Sequence, residues 1–153
     1  MIKLYEPKIE DLWFRKALLS DEKTMSYNYR WGGVISFPEE NWEDWYDYWV
    51  INTDNKRYYR YLLNENNEFV GEIAYHFDGE HYIASIIVCY EFRNKGYGKE
   101  GLVLLCKAAK ENGVKTLYDD IAIDNPAISL FLKLGFIEEY RNDEIIMLKK
   151  NLD

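Results

Sequence analysis

One segment of the sequence constrains the fold most. In it, a strand leads through a two-glycine loop into a long amphipathic helix and then into a second strand. The sequence is almost continuously apolar from Ile83 to Tyr90, which is typical of a central strand covered on both faces. Apolar side chains then recur at helical spacing over 98–112, and residues 116–123 again have the composition of a strand. Such a crossover joins parallel neighbours. We therefore predict strands at 81–92 and 116–123 that pair in parallel.

The rest of the chain predicts further elements around this unit. More strands are expected at 2–5, 57–63, 69–77, 136–140 and 144–148, and more helices near 7–20, 36–50 and 126–134. The resulting order, β-α-α-β-β-β-α-β-α-β-β, indicates a mixed α+β fold whose sheet is mostly antiparallel with one parallel pair. A length of 153 residues fits one domain, residues 1–153.

Two of these helices are expected to carry an apolar stripe. The first has Ile9, Leu12 and Trp13 on one face. The second follows Ser36 and Glu39, which are spaced as a capping box. Its stripe consists of Trp42, Trp45, Tyr46, Trp49 and Val50. The acids of its first turns form either the solvated face of a core helix or the acidic wall of a binding groove; they are Glu39, Glu40, Glu43 and Asp44.

The composition excludes several classes of partner and site. With 19 basic and 27 acidic residues the net charge is −8, so neither nucleic acid nor an anionic membrane is an expected partner. The sequence has no apolar run of about 18 residues and no signal-peptide pattern, so we expect a cytoplasmic protein. Cys89 and Cys106 are too few for a disulfide scaffold or a metal cluster. Both are expected to be buried thiols, and no metal site is expected.

The loop between the apolar strand and the long helix has the features of a phosphate cradle. Unpaired N–H groups at a helix start point toward one spot, and glycine lets a ligand approach the backbone closely. Gly96 and Gly98 stand at this start, and Arg93, Lys95 and Lys99 surround it with positive charge. The alternative is an ordinary strand–helix turn, because the loop has neither the third glycine of a dinucleotide fingerprint nor the Gly-Lys-Ser/Thr of a Walker A loop.

Two motifs resemble those of a known family. Arg93-Asn94-Lys95-Gly96-Tyr97-Gly98 resembles the Arg/Gln-x-x-Gly-x-Gly/Ala acyl-CoA-binding loop of the GNAT superfamily of N-acetyltransferases. Residues 124–136 resemble the second motif of this family, which begins with asparagine and closes with Gly-Phe. The predicted element order also matches the family fold. The resemblance implies a single-domain three-layer α/β/α sandwich whose parallel strands splay apart beyond Val88.

The resemblance also implies acetyl-CoA as the co-substrate and assigns residues to it. The backbone of Ile87 and Val88 would pair with the pantetheine arm, and Phe131 would pack beside that arm. The amide of Asn125, unless Asp124 takes its place, would bind near the thioester. The pyrophosphate would be held by the helix-start loop, which consists of Arg93, Asn94, Lys95, Gly96, Tyr97, Gly98 and Lys99.

The groups that many family members use for proton transfer are missing here. Their general acid is a tyrosine four residues before the closing glycine, where this chain has Phe131. Their basic glutamate falls near Ile83 and Ala84. We expect Tyr118 and Asp120 to be the catalytic groups instead, because both face one side of the strand beside the expected thioester. Asp120 is either a general base with a raised pKa or a strand-end acid paired with a lysine or a backbone N–H.

Four further side chains lie near these candidates. Asp119 faces the opposite side of the strand from Asp120. His76 and His81 could transfer protons, although a lone histidine on a strand is more often structural. Cys89 is disfavoured as a nucleophile, because apolar neighbours raise the pKa of a thiol.

Two functions follow from the resemblance. The first is direct transfer of an acetyl group from acetyl-CoA to a primary amine, and the second is non-catalytic binding of acyl-CoA by the same fold. The expected acceptor is a small cationic molecule or a peptide, since an acidic surface attracts cations and aromatic faces bind ammonium groups. In this family the segment after the first helix forms the acceptor groove, which here contains Tyr27, Tyr29 and Trp31. The protein is expected to be a monomer or a homodimer.

Overall fold

The structure, a computed structural model, describes the backbone of residues 1–153 and the side chains of residues 1–28 and 32–153. Its seven-stranded sheet has the order β1-β2-β3-β4-β5-β7-β6. The strands are β1 (Lys3–Tyr5), β2 (Arg57–Leu63), β3 (Phe69–Phe77), β4 (Tyr82–Val88), β5 (Thr116–Ala122), β6 (Ile137–Arg141) and β7 (Ile145–Asn151). The helices are α1 (Leu12–Ser20), α2 (Trp42–Tyr46), α3 (Tyr97–Glu111) and α4 (Ala127–Lys133). Strands β4 and β5 pair in parallel and the other neighbours are antiparallel, so the predicted fold class is confirmed.

Helices cover both faces of the sheet. On one face, Leu102 of α3 and Phe131 of α4 belong to the same buried cluster as Ile73 of β3. On the other face, Phe14 of α1 packs with Ala74 of β3. Ile73 and Ala74 join different clusters because successive strand residues point to opposite faces. In the part of the chain that the structure describes, no helix is long and apolar enough to cross a membrane.

The buried face of α1 differs from the predicted one. Leu12 is fully buried, but Trp13 is 56% exposed and Ile9 is 39% exposed. The buried positions are Leu12, Phe14, Leu18 and Leu19. The chain enters α1 through a 3₁₀ turn over Ile9–Asp11, whose tighter winding changes the phase that the sequence spacing assumes.

The predicted capping box at the start of α2 is wrong, whereas its aromatic stripe is correct. Pro38 occupies the N-cap position before a 3₁₀ turn, Glu39–Asn41, and no side chain caps this start. Ser36 therefore lies outside the helix. After α2 the chain widens into a π-helical turn, Asp47–Ile51. The five stripe residues are partly buried and pack on the two clusters beneath α1 and α2, and the four acids of the first turns are exposed.

β4 pairs with its two neighbours over very different lengths. Its pairing with β3 continues to Gly71↔Val88, whereas its pairing with β5 ends at Ile83↔Tyr118. The predicted splay is therefore present, but the strands part from Ala84 onward rather than beyond Val88. β4 also ends at Val88, and the predicted continuation to residue 92 is instead a 3₁₀ turn, Tyr90–Phe92. One edge of β4 is left open, and a cleft lies beside it.

Candidate active site

A cleft of about 680 Å³ occupies the gap between β4 and β5. At one end it reaches the loop before α3, and at the other it reaches Asp119 and Asp120. Residues 83–88 of β4 form one side, and Leu130 and Phe131 of α4 form another. The segment after α1 contributes Thr24, Met25, Tyr27 and Asn28. The cleft therefore connects the predicted phosphate cradle with the predicted proton-transfer groups.

The cradle is built by two residues with left-handed backbone conformation. Asn94 has φ 64° and Gly96, the N-cap of α3, has φ 84°. The helical hydrogen bonds begin where the Glu100 N–H donates to the Gly96 carbonyl oxygen at 3.1 Å. The N–H groups of Tyr97, Gly98 and Lys99 precede this bond and have no acceptor in the described part of the chain. Together they form an anion-binding helix start.

The side chains around this loop divide into those that face solvent and those that fix the loop. Lys95 and Lys99 are exposed. Arg93 donates from Nε to the Val88 carbonyl oxygen at 3.1 Å and from Nη2 to the Thr24 carbonyl oxygen at 2.7 Å. Its guanidinium therefore ties the loop to the segment after α1, and its contact with a pyrophosphate stays a prediction.

The open edge of β4 presents the backbone of Val88 rather than that of Ile87. The Cys89 N–H donates to the Val70 carbonyl oxygen of β3 at 2.8 Å. Because backbone groups alternate in direction along a strand, the amide of Ile87 also faces β3, whereas those of Ile86 and Val88 face the gap. The backbone groups that face the gap are therefore those of Ile86 and Val88, and the Val88 carbonyl oxygen already accepts from Arg93 Nε. Pairing of Ile87 and Val88 with a ligand stays a prediction, and this geometry favours Ile86 over Ile87.

The second motif places Asn125 and Phe131 at the cleft. Asn125 lines it, and the Asn125 Oδ1 accepts the Ala127 N–H at 2.9 Å at the start of α4. Asp124 is not among the residues that line the cleft. Phe131 lines the cleft but is 1% exposed, with its ring 4.9 Å from that of Phe136. This geometry favours Asn125 for the role of the family's asparagine.

Of the two predicted catalytic groups, Asp120 lines the cleft and Tyr118 does not. Tyr118 pairs with Ile83, where β4 and β5 are still joined, and its ring stacks on His81 at 3.9 Å. Tyr118 therefore lies where the two strands are still paired and outside the cleft lining, and its catalytic role stays a prediction that this position does not favour. Burial raises the pKa of Asp120, and its own backbone N–H and His76 partly oppose this. In the described part of the chain no lysine pairs with Asp120, which removes the ion-pair alternative there.

Sequence reasoning missed several residues that line the cleft. Asp119 lines it and is 9% exposed, and its pKa is raised well above 3.8 by burial and by the charge of Asp120. From strand alternation we expected Asp119 on the face opposite Asp120, and we assigned it no role. Ser85 and Thr24, which the sequence did not single out, also line the cleft, as does His76, which it named as a possible proton-transfer group. The residues around Thr24 do not predict that it contacts the end of β4, because the two segments are far apart in the sequence.

The predicted acceptor residues can be followed only in part. Tyr27 is 39% exposed and lines the cleft. The side chains of Tyr29 and Trp31 lie outside the described residues. Burial raises the pKa of the Cys89 thiol to about 12, and Cys89 does not line the cleft, which agrees with its exclusion as a nucleophile. Within the described side chains, no three His, Cys, Asp or Glu residues converge as metal ligands.

Known proteins resemble this chain in sequence and in fold. Residues 17–136 match the model of the acetyltransferase (GNAT) family. The chain is 33% identical over 88 residues to the [ribosomal protein bS18]-alanine N-acetyltransferase of Haemophilus influenzae, a match that spans 57% of this chain and 60% of that protein.

Solved structures match over nearly the whole chain. An N-acetyltransferase from Staphylococcus aureus Mu50 superposes with a TM-score of 0.78 at 22% identity, covering 100% of this chain and 99% of that one. Spermidine N-acetyltransferase from Vibrio cholerae, in complex with CoA and spermine, gives a TM-score of 0.77 at 19% identity, covering 99% and 95%. These likenesses establish the fold, and with the family match over most of its length the chain belongs to the GNAT acetyltransferase family.

Proposed function

We propose that this protein transfers an acetyl group from acetyl-CoA to the primary amine of a small cationic molecule or a peptide, by direct attack of the amine. One observation carries the proposal: a single cleft joins free helix-start amides, an open strand edge and a half-buried carboxyl of raised pKa. Each of these features matches one part of the reaction.

Acetyl-CoA would lie along the length of the cleft. The N–H groups of residues 97–99 would bind the pyrophosphate, with Lys95 and Lys99 adding charge-assisted contacts. The backbone of Ile86 and Val88 would pair with the amides of the pantetheine arm as an added strand does. The Nδ2 group of Asn125 is left to donate to an arm carbonyl, since its Oδ1 already caps α4.

Asp120 would act as the general base. A carboxyl with a raised pKa is a better proton acceptor near neutral pH than an ordinary aspartate. An amine approaching across the face that carries His76 and Ser85 would meet Asp120 before the thioester. The amine nitrogen then attacks the thioester carbon, and positioning alone can supply about 7–11 kcal/mol of the barrier.

The acceptor class rests on charge and on relatives. Tyr27 offers an aromatic face at the cleft, and the net charge of −8 favours cations. One relative is an alanine N-acetyltransferase of ribosomal protein bS18, and one structural neighbour is a spermidine N-acetyltransferase. Both names describe amine acceptors, one on a protein and one on a polyamine.

A second candidate function is non-catalytic binding of acyl-CoA by the same cleft. Phe131 favours it, because the phenyl ring on α4 cannot donate a proton where many family members place a tyrosine. Such a protein would bind acetyl-CoA without turning it over.

The test is release of CoA thiol from acetyl-CoA in the presence of polyamines, aminoglycosides and peptides with free N-termini. We expect release with at least one amine, and Asp120→Asn should lower kcat by about 100-fold. Asp153→Asn, which removes one exposed carboxylate at the C-terminus, is the matched control and should keep wild-type turnover. Acetyl-CoA binding by calorimetry without release for any amine would favour the binding module.

A further inference from the structure

Asp119 lines the cleft but has no role in the reaction proposed above. Its neighbours two positions away, Leu117 and Ile121, belong to the buried cluster beneath α3 and α4. Its partner across the sheet, Leu148 of β7, is fully buried in the same cluster. The Asp119 side chain therefore lies on the α3/α4 side of the gap, and it borders the cleft from within an apolar wall.

The same side of the gap lacks the family's proton donor. Phe131 of α4 lines the cleft on this side and packs on Phe136. A phenyl ring carries no acidic proton, so the hydroxyl that a tyrosine would place here is missing. A leaving thiolate on this side needs another donor, and Asp119 is the carboxyl that the described structure offers there.

Asp119 and Asp120 flank the gap from opposite faces. Asp120 faces His76 and the α1 side, from which the segment carrying Tyr27 closes the cleft. The amine adds to one face of the planar thioester, and nitrogen and sulfur are then two separate substituents of one tetrahedral carbon. Two carboxyls on successive residues of β5, turned to opposite faces of the sheet, can therefore serve nitrogen and sulfur separately.

Resting on the proposed function, we infer that Asp119 is the general acid of the reaction and that it protonates the sulfur of the departing CoA. The attacking amine nitrogen, in its unprotonated form, bonds to the thioester carbon while the carbonyl π pair moves to oxygen, and it gives a proton to the Asp120 carboxylate. The oxygen pair then re-forms the carbonyl. The carbon–sulfur bond breaks, its electron pair stays on sulfur, and sulfur takes the proton of the Asp119 carboxylic acid. Asp120 leaves this step protonated and Asp119 ionised, so one proton exchanged through water restores both.

The surroundings of Asp119 favour its protonated form. Burial and then the charge of Asp120 hold its pKa well above the ordinary 3.8. Other ionisable groups on this face include Tyr75, Tyr97 and Cys106, whose pKa values burial raises, and Lys150 of β7. Lys150 donates to the Leu134 carbonyl oxygen at 2.6 Å, so its charge is engaged away from the gap. Two adjacent carboxyls whose environments separate their pKa values are suited to opposite roles.

The first experiment measures the protonation of the Asp119 carboxyl in the free wild-type protein. Carbon-13 NMR of labelled aspartate carboxyls, assigned through backbone correlations, follows each group from pH 3 to 9. Asp119 should still be protonated well above about pH 4, where an unperturbed aspartate has ionised. Titration of Asp119 at the pKa of an unperturbed aspartate would overturn the inference, and this readout requires neither turnover nor a folded variant.

The second experiment uses the pH dependence of kcat with the best acceptor of the amine panel. Wild type should lose turnover at low pH as Asp120 becomes protonated and at high pH as Asp119 ionises. Asp119→Asn should lower kcat by about 100-fold and lose the high-pH limb, while acetyl-CoA affinity by calorimetry stays within about twofold. Asp120→Asn should lose the low-pH limb instead.

A rescue variant separates acid catalysis from a structural effect. Phe131→Tyr in the Asp119→Asn background restores a proton donor on α4 and should raise kcat about tenfold over Asp119→Asn alone. Turnover by wild type with an unchanged kcat in Asp119→Asn would overturn the role of Asp119 and leave the proposed function standing. Absence of wild-type transfer to every amine would instead overturn the proposed function, and the role of Asp119 with it.

Discussion

Asp119 and Asp120 are neighbours in sequence, but β5 turns their side chains toward opposite faces of the sheet. Asp119 lies against apolar residues, whereas Asp120 is half-buried and close to His76. The pKa of each is raised chiefly by burial, more strongly for Asp119. A carboxyl that is neutral in the folded protein but ionises freely in the unfolded chain links stability to pH.

We predict that Asp119 makes wild type less stable as pH rises. Its folded pKa is above its unfolded one, so its contribution is fully present below about pH 4 and is lost as pH rises toward the folded pKa. Asp119→Asn has no proton to lose at this site, so its stability relative to wild type should increase from pH 4 to pH 8. Urea unfolding of both proteins at each pH measures the difference, and a difference that does not change with pH would contradict the raised pKa.

At the cradle, the space around Gly98 defines a second prediction. An added Cβ at Gly98 would lie 3.5 Å from Leu130 and 3.8 Å from Val88, which is ordinary contact, so a side chain there disturbs the ligand more than the fold. Gly98→Glu also places a negative charge at the anion site, and acetyl-CoA affinity should fall about tenfold or more, equal to about 1.4 kcal/mol. Calorimetry measures this, with unchanged circular dichroism.

Val103→Glu is the matched control for Gly98→Glu. Val103 is 49% exposed on the same helix, so the substitution adds the same charge away from the cleft. Affinity should then stay near the wild-type value. Equal losses in the two variants would show that net charge, and not the cradle, controls binding.

Among elements, α1 is anchored to the sheet by a buried ion pair. The Arg15 Nη1 contacts both carboxylate oxygens of Glu72 on β3, at 2.6 and 2.7 Å. The Glu72 side chain is 3% exposed, and the Arg15 guanidinium lies 4.4 Å from the ring centre of Trp45. This pair fixes the helix that precedes the acceptor segment.

We predict that Glu72→Ala destabilises the fold by about 3–5 kcal/mol, because it leaves the Arg15 charge buried without a partner. The matched control is Glu138→Ala, which breaks a pair with Arg141 on β6 whose side chains are 38% and 55% exposed. That change should cost far less than Glu72→Ala, because solvent screens an exposed ion pair. Urea unfolding measures both, and similar costs for the two variants would refute a special role for the buried pair.

An element can be predicted from the sequence when the residues that determine it are close together in the chain. β2 and β3 have the predicted bounds, because apolar alternation and polar turns are encoded within a few residues. The buried face of α1 and the start of α2 were predicted incorrectly. Both depend on 3₁₀ turns before the helix, and such turns differ little in energy from other local conformations. The point where β4 and β5 part depends on both strands and on the helices above them, so neither strand's pattern reveals it.

At the scale of the whole molecule, the cleft depends on contacts between distant parts of the chain. Arg93 is 69 residues from Thr24 in sequence, yet it donates to the Thr24 carbonyl oxygen. The motif predicted the cradle because its loop is contiguous, as is the second motif with Asn125 and Phe131. The motifs could not predict that Asp119 and Phe131 line the same side of the cleft, because that depends on how α4 packs against the sheet.

The overall charge gives the last prediction. The net charge of −8 is spread over a protein whose cleft has Lys99 at the cofactor end and Asp120 at the other. Tyr27 lines the same cleft, with its ring centre 5.6 Å from the Arg93 guanidinium. A cationic acceptor is therefore drawn toward the cleft and held by an aromatic face worth about 0.5–2 kcal/mol. Salt screens the attraction between exposed charges over about 8 Å at physiological ionic strength.

We therefore expect kcat/KM for a cationic acceptor, at saturating acetyl-CoA, to fall several-fold between low and high salt. An aniline that is neutral at the assay pH should change little, which isolates the acceptor's charge from any effect on the cofactor. Tyr27→Ala and Trp31→Ala should weaken the cationic acceptor selectively. Tyr140→Ala, at a residue 49% exposed on β6, is the control for loss of a surface aromatic. A best acceptor that is neutral or acidic, or equal salt dependence for aniline and cation, would show that the charge of this protein does not select its substrate.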